Sequence, residues 1–406
     1  MTNNQHPTSN FQHPISNLQP PTPIYLDHSA TTPVDPRVIE AMLPYLTEKY
    51  GNASSLHRWG QAALTALDQA RRTIAEILNA DPKEIVFTSG GSESDNLALR
   101  GVAMALRAKG PHAHIITTPI EHHAILNTAA QLEREFGFEV TRVPVDRRGG
   151  VNPDDIARAL TPRTVLISVM YANNEVGTVE PLAEIARMAK KRGVLFHTDA
   201  VQAGGYLPLD VNELGVDLMS LGAHKFHGPK GVGVLYVRAG TPLLPMQTGG
   251  SHERSRRAGT ENIPYIVGIA TALKIAQDER AATNVRLTAL RDKMVEGILE
   301  RIVGAELTGD PKNRLPGHAS FVIPGAIGDE MVLGLDLAGV AASTGSACTA
   351  GSAEPSHVLA AMGYPADVAR GALRLTLGRG NTDAEVEYAV NAAAEVVGKL
   401  RGTSGG

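Results

Sequence analysis

The sequence has one cysteine, one tryptophan and few aromatic residues of any kind. A single thiol, Cys348, excludes an intrachain disulfide framework and any zinc site built from several cysteines. It suits a reducing compartment, so a cytoplasmic location is expected. With aromatics at 4% of the chain, rows of stacking platforms for nucleic-acid bases are not expected. Charge of one sign is lacking too: 38 basic and 42 acidic residues leave a net charge of −4. That balance gives no electrostatic footprint for nucleic acid or an anionic membrane, so neither is expected as a partner. No apolar run approaches the length that spans a bilayer. What remains is a chain of 406 residues with ordinary globular composition, long enough for a substantial core divided between two lobes.

Residues 1–23 are rich in Asn, Gln, Pro, Ser and Thr, and Gln5-His-Pro-Thr-Ser-Asn10 nearly repeats as Gln12-His-Pro-Ile-Ser-Asn17. They lack the features of a secretory or transit signal and read as a disordered tail. Residues 401–406 read as a frayed end. From about Asp81 to Val237, short apolar runs alternate with helical patterns. Strands are predicted at Ile85–Phe87, His114–Thr117, Thr164–Val169, Val194–His197, Leu218–Ser220 and Gly233–Val237. Helices are predicted from about Asp95 to Ala108, from Ala124 to Phe136, and from Pro181 to Arg192 with a stop at Gly193. Such alternation implies an α/β fold: a large domain whose mostly parallel sheet is covered by helices on both faces. After about Asp278 the pattern changes. A helix over Ala281–Arg301, strands at Ala319–Ile323 and Ala372–Thr376, and a helix over Asp383–Leu400 predict a smaller α+β domain. The expected division is 24–36 as a bridging segment, 37–278 as the large domain and 279–400 as the small one.

Parallel sheets bind ligands at the carboxyl ends of their strands. Three such ends are informative. Ser89-Gly-Gly-Ser-Glu-Ser94 joins a strand to a helix, where free N–H groups and the helix dipole suit a phosphate, although a plain capped helix reads the same. Asp199 follows a strand that should be fully buried, so its carboxylate needs a cationic partner, either a protein group or a protonated ring nitrogen. Lys225 lies at another strand end beside His224, where loss of hydration favours a neutral, nucleophilic amine; Lys230, in a Gly-Pro-Lys-Gly turn, is its competitor. Together a phosphate cradle, a buried acid and a strand-end lysine fit pyridoxal 5'-phosphate, which needs a Schiff-base lysine and an acid for its pyridine nitrogen. Cys348 sits in Ser343-Thr-Gly-Ser-Ala-Cys-Thr-Ala-Gly-Ser352, a run of small residues with no hydrophobic period. The run reads as a mobile loop able to carry a thiol to a substrate, against the alternative of a small buried hydrophobe.

Motifs over about Ile24–Asp383 resemble the cysteine desulfurases of the class V aminotransferase family, within the fold-type I pyridoxal-phosphate enzymes. They are Tyr25-Leu-Asp-His-Ser-Ala-Thr-Thr-Pro33, Glu84-Ile-Val-Phe-Thr-Ser-Gly90, Glu121-His122, Asn173-Asn-Glu175, Asp199-Ala-Val-Gln202, His224-Lys225, Gly228-Pro-Lys-Gly231, Arg257-Ala-Gly-Thr260 and Gly345-Ser-Ala-Cys348. The resemblance implies that Lys225 bonds the cofactor, Asp199 pairs with its ring nitrogen, Gln202 and Asn174 contact its ring oxygen, and His122 stacks on its ring. It implies that Gly91, Ser92 and His224 hold the phosphate, with Thr260 reaching in from the second subunit of a homodimer, and that Gly222 also belongs to the cofactor site. Arg374 is expected to grip the substrate carboxylate with Asn174 nearby, and Arg379 is its rival.

The implied reaction converts L-cysteine to L-alanine and leaves the sulfur on Cys348 as a persulfide, with His122 as the candidate proton acceptor. The segment around Cys348 resembles the long-loop group that serves iron–sulfur assembly and related sulfur transfer. An iron–sulfur scaffold or another sulfur-acceptor protein is therefore the expected partner. Metal is expected at Cys348 only transiently, through a cluster shared with such a scaffold. Ala53, Ser92 and His28 depart from the residues common in the family. An aminotransferase or selenocysteine lyase on the same scaffold, and a non-catalytic sulfur carrier, are the competing functions.

Overall fold

A computed structural model describes residues 23–107, 113–345 and 355–403. The first strand, β1 (Ile24–Tyr25), is followed by helices α1 (Pro36–Thr47) and α2 (Arg58–Leu78). The Asp35 carboxylate accepts from the Arg37 N–H and Pro36 occupies the first turn of α1, which fixes where that helix starts. Asn79, left-handed at φ +54, stops α2.

The main sheet is built from β2 (Ile85–Thr88), β3 (His114–Thr117), β4 (Glu139–Arg142), β5 (Thr164–Ser168), β6 (Leu195–Asp199), β7 (Leu218–Gly222) and β8 (Gly233–Val237). Their order across the sheet is β2-β8-β7-β6-β5-β3-β4. Neighbours from β4 through β7 pair parallel, and only β8 runs against both of its neighbours. The carboxyl ends of β2, β3, β5, β6 and β7 therefore share one edge. Alternate residues enter different cores. Ile85, Phe87, Met219, Val234 and Tyr236 pack with α1, α2 and helices 182–192 and 263–278. Val86, Leu218, Leu235 and Val237 pack instead with α3 (Gly91–Leu106) and α4 (His123–Phe136). A sheet covered on both faces has little room for polar side chains except at its ends.

The smaller lobe holds β9 (Glu306–Leu307), β10 (His318–Val322), β11 (Val340–Ala341) and β12 (Ala372–Thr376). Strand β10 is central, antiparallel to β12 and β9. Helices Arg280–Arg301 and Asp383–Thr403 cover it, and their core includes Ile24 and Leu26. Strand β1 pairs parallel to β11, so the amino-terminal segment is tied to this lobe. A further cluster of Ile120, Met170 and Val176 with Val358, Leu359 and Met362 joins the two lobes.

The predicted strands all form, with boundaries moved by a residue or two. Helix α3 begins at Gly91 rather than near Asp95. Gly and Ser read as turn formers, but Gly91 seats against Val201, and a Cβ there would lie 2.6 Å from Val201 Cγ2. Tertiary packing overrides weak helix propensity here. Strand β4 and the helices α1, α2 and 263–278 carry no expectation from sequence. Strand β4 is a half-exposed edge without an apolar run, and helix 263–278 is nearly apolar throughout, so neither shows a clear period.

Gly233 faces the turn that leads into α3. A Cβ there would come within 2.6 Å of Gly90 C and 2.7 Å of Leu221 O, both backbone atoms that cannot swing away. Gly233→Ala should therefore destabilise the protein by about 1–3 kcal/mol through overpacking. A thermal unfolding midpoint equal to that of the wild type would refute this.

Candidate active site

Side chains from the shared edge line a cavity of about 650 Å³ between the lobes. Residues Ser89, Gly90, Gly91, Ser92 and Glu93 come from the β2–α3 junction. His122 caps α4 after β3, and its Nδ1 accepts the Ala124 N–H at 3.1 Å, which leaves the ring proton for Nε2. Asn174 follows β5, Asp199 ends β6, and Gln202 comes just after. His224 and Lys225 lie in a single short turn after β7. Arg374 enters from β12 in the other lobe.

The members of two rival pairs from the sequence lie in different environments. Lys225 is half-buried, and its amine donates to Ala30 O at 2.9 Å and to Ser29 O. Lys230 reaches the same cavity but is exposed to solvent. Arg374 is 2% exposed and donates to Asn174 O at 2.7 Å, Gly345 O at 3.0 Å and Asp27 Oδ1 at 2.8 Å. Arg379 lies away from the cavity, paired with Asp35 at 3.1 Å and Glu279 at 3.4 Å. Gln202 donates to Ser29 O at 3.0 Å, so residues 29–30 are held from both sides of the site.

Two of the expected residues that the structure describes are not in the cavity wall. Gly222 is buried beneath the β2–α3 turn, where a Cβ would lie 3.4 Å from Gly91 N. Thr260 lines a neighbouring cavity that shares Ser89, Gly231 and Val232 with the main one. Cys348 lies outside the described residues. The flanks of its segment do reach the cavity: Gly345 and His357 both line it.

Several participants are not among the site residues expected from sequence. Glu175 accepts a hydrogen bond from Ser356 Oγ, and one of its oxygens is 3.9 Å from His357 Nδ1. A Cβ on Gly345 would lie 3.4 Å from the same carboxylate, so Glu175 touches both flanks of the cysteine segment. Thr31 Oγ1 is 3.2 Å from His224 Nδ1. Asp95 lies on the first turns of α3 and lines the cavity. Glu175 closes the Asn173-Asn-Glu175 motif and Thr31 lies within the Tyr25–Pro33 motif, the only hints available; Asp95 looks like an ordinary helix acid.

The electrostatics single out one acid. Burial pushes Asp95 far above the carboxylate range, and the nearby Asp199 charge adds to the effect. Burial does the same to Glu121. Burial also raises Asp199, but His122, the Val201 N–H and Lys225 pull it back. Asp199 is thus the one of these three acids with a lysine among the groups that lower it, and Val201 N–H donates to its Oδ1 at 2.9 Å. Burial lowers His122 as well, so the ring is neutral at neutral pH.

Pyridoxal phosphate fits this arrangement. Asp199 is a buried carboxylate at the cavity wall that requires a positive partner. The first-turn N–H groups of α3 lack intrahelical partners and meet the cavity at Gly91–Glu93, as a phosphate requires.

Comparison with known proteins agrees. The aminotransferase class-V family pattern matches residues 24–389. Cysteine desulfurase IscS of Dictyoglomus turgidum is 49% identical over 378 residues, covering 93% of this chain and 95% of that one. A solved NifS-like protein superimposes with a TM-score of 0.87 at 39% identity, covering 93% of this chain and 100% of its own. A structure described as SspA in complex with cysteine gives a TM-score of 0.77 at 36% identity, covering 87% of this chain and 98% of its own. The chain belongs to the cysteine desulfurases of the class V aminotransferase family. Cysteine desulfurases are pyridoxal-phosphate enzymes of fold-type I, as the sequence motifs imply. In this desulfurase His28, one of the departures noted from sequence, packs on Gly378 rather than in the cofactor cavity.

The desulfurase also buries a histidine beneath its site. His197 on β6 is enclosed between Ser168 Oγ at 2.9 Å and Ser220 Oγ at 3.0 Å, and burial lowers its pKa to about 3. The unfolded chain takes up that proton near the ordinary histidine value, whereas the fold refuses it until far lower pH. Between about pH 6.5 and 3 the unfolded state therefore binds more protons, and stability falls on acidification. His197→Gln should reduce the dependence of unfolding free energy on pH by about one proton equivalent. Denaturant titrations from pH 7 to 5 with an undiminished slope would contradict the neutral, buried histidine.

Proposed function

We propose that the protein removes sulfur from L-cysteine, releases L-alanine and holds the sulfur on Cys348 as a persulfide for an acceptor protein. One observation carries the reading: a single cavity combines Lys225, Asp199, His122, a phosphate turn and Arg374 with both flanks of the cysteine segment. Cys348 is three residues beyond Gly345, so chain length alone allows it about 10 Å of reach from the cavity wall.

Bound here, pyridoxal phosphate would supply the electron sink that makes a Cα proton of the substrate removable. Asp199 would hold the ring nitrogen positive, and Gly91, Ser92 and His224 the phosphate, with Gly222 supporting the turn from beneath. Gln202 and Asn174 would fix the ring oxygen, and His122 would cover the ring face. Arg374 is prepared for the substrate carboxylate, because backbone carbonyls and Asp27 already hold its guanidinium in place. The Lys225 amine would carry the Cα proton. A Cys348 thiolate then attacks the substrate sulfur: an S–S bond forms, the C–S bond breaks, and its electron pair stays with the carbon skeleton, which is protonated and leaves as alanine. A thiol of ordinary acidity, with pKa about 8.5, is mostly protonated at neutral pH, and neutral His122 is suited to accept its proton.

The two separate cores support a large lobe over 37–278 and a small one over 279–400. A homodimer is supported by Thr260, which lies outside its own main cavity, and by exposed Leu43, Leu46, Tyr50, Leu56 and Trp59 along α1, the start of α2 and the connection between them. No helix among the described residues is long and apolar enough to cross a membrane. The reading places the activity in the cytoplasm, where a lone thiol stays reduced, with an iron–sulfur scaffold or another sulfur acceptor as partner. Any metal at Cys348 would be a cluster shared briefly with that scaffold.

Incubating purified protein with L-cysteine and measuring alanine and sulfide tests the reading. Cys348→Ser should keep the visible absorbance of the cofactor while turnover falls by roughly two orders of magnitude or more. Full turnover by that variant would remove Cys348 from the reaction. Lys225→Ala should change the visible spectrum, and an unaltered spectrum would show that another amine bonds the cofactor.

A further inference from the structure

A buried ion pair behind the phosphate turn takes no part in the chemistry above. Arg71 of α2 and Glu253 have side-chain exposures of only 6% and 3%. They meet as a fork, Arg71 Nη1 donating to Glu253 Oε2 at 2.8 Å and Nη2 to Oε1 at 2.7 Å. The same Oε2 accepts the Phe87 N–H at 3.0 Å, and Arg71 Nη1 also donates to Ile85 O at 2.7 Å. The guanidinium carbon is 4.8 Å from the centre of the Phe87 ring. Paired charges this deep hold their geometry firmly, because separating them leaves each one buried and uncompensated.

The Glu253 carboxylate thus fastens two stretches of backbone together. One is β2, whose Phe87 lies two residues before Ser89. The other begins at Glu253 itself and is contorted: Glu253, Arg254 and Ser255 have φ of +47, +56 and +63. None is glycine, and three successive left-handed residues persist only where the surroundings fix them. The fork on Glu253 is such a fixing contact.

Just beyond this turn, Arg257 donates Nε to Glu93 Oε1 at 2.8 Å and Nη2 to Oε2 at 3.2 Å. Glu93 lines the cofactor cavity beside Ser89, Gly90, Gly91 and Ser92. An unpaired carboxylate at that place would repel a phosphate. Burial opposes ionisation of Glu93, but hydrogen bonds from Arg257 and Ser89 outweigh it and keep the group ionised and paired. The pairing depends on Arg257 arriving from the correct side, and the left-handed turn sets that direction.

We propose that Arg71 and Glu253 are positioning residues for the phosphate end of the site: they lock the turn that holds Arg257 on Glu93 and so keep the phosphate cradle free of net negative charge. The proposal rests on reading residues 89–93 as that cradle. Glu253→Gln preserves side-chain shape and removes the charge. Binding of pyridoxal 5'-phosphate and of pyridoxal, which lacks the phosphate, is then compared on full-length protein stripped of cofactor. Affinity for the phosphorylated compound should fall about tenfold or more, the scale of one charge-assisted contact, while affinity for pyridoxal stays the same. The phosphorus resonance of the bound cofactor should shift as well. Parallel losses for both compounds, or no loss for either, would overturn the proposal, since a merely structural role does not discriminate between them. If Glu253→Gln does not fold, Arg257→Gln, on a partly exposed side chain, serves in its place: a loss confined to the phosphorylated compound supports the proposal, and a parallel or absent loss overturns it. Wild-type protein that binds the two compounds equally well would overturn the phosphate-cradle reading itself, and the proposal with it.

Discussion

A negative charge at the end of a strand buried on both faces must find a positive partner, and that requirement at Asp199 organises the site. Helices on each side of the main sheet bury most of the carboxylate away from solvent. Asp95 and Glu121 meet the same burial by keeping their protons, as their raised pKa values indicate. Asp199 alone among them has His122 and Lys225 close enough to oppose that tendency. Its environment is prepared for a cation at one place in the cavity, and a protonated pyridine ring is a cation of suitable shape. In the proposed reading the remaining elements serve that demand: a helix start would take the phosphate, Lys225 the aldehyde carbon and His122 the ring face.

The second constraint is that the two lobes share the site through hydrogen bonds as well as apolar contact. Arg374 belongs to the small lobe, yet it is held by the Asn174 carbonyl of the large lobe and by Asp27 of the amino-terminal segment. The Gly345 carbonyl, at the start of the cysteine segment, accepts from the same guanidinium. Glu175, from the large lobe, bonds to Ser356 beyond the other end of that segment. A substrate carboxylate arriving at Arg374 would therefore meet a group already bonded to the base of the thiol-bearing segment. The cavity and both described flanks of the segment are parts of one hydrogen-bonded unit.

Much of this is legible in the residues. The alternation of apolar runs with helical patterns locates every main-sheet strand but β4, whose Glu-Val-Thr-Arg sequence carries no apolar run. The strand-end rule points at residues 89–92, Asp199 and Lys225, all of which the structure brings to one cavity. Helix α3 starts four residues earlier than its local sequence suggests, because Gly91 and Ser92 favour turns locally while packing against Val201 draws them into the helix. Asp95 is invisible as a site residue, since nothing in its local sequence distinguishes it from an ordinary surface acid, and Glu175 carries only its place in the Asn173-Asn-Glu175 motif.

The sequence by itself determined the residue types, their order and the periodicity that buries each strand, because these depend on neighbours a few positions apart. Its motifs favoured Lys225 over Lys230 and Arg374 over Arg379, but they gave no environment for any of the four. Only the tertiary structure supplies that environment. Burial of Lys225 beside the carbonyls of residues 29 and 30, and an ion pair between Asp27 and Arg374, are contacts across 195 to 347 positions. Contacts at that separation arise from how the sheet and the two lobes close on each other, and no local pattern encodes them.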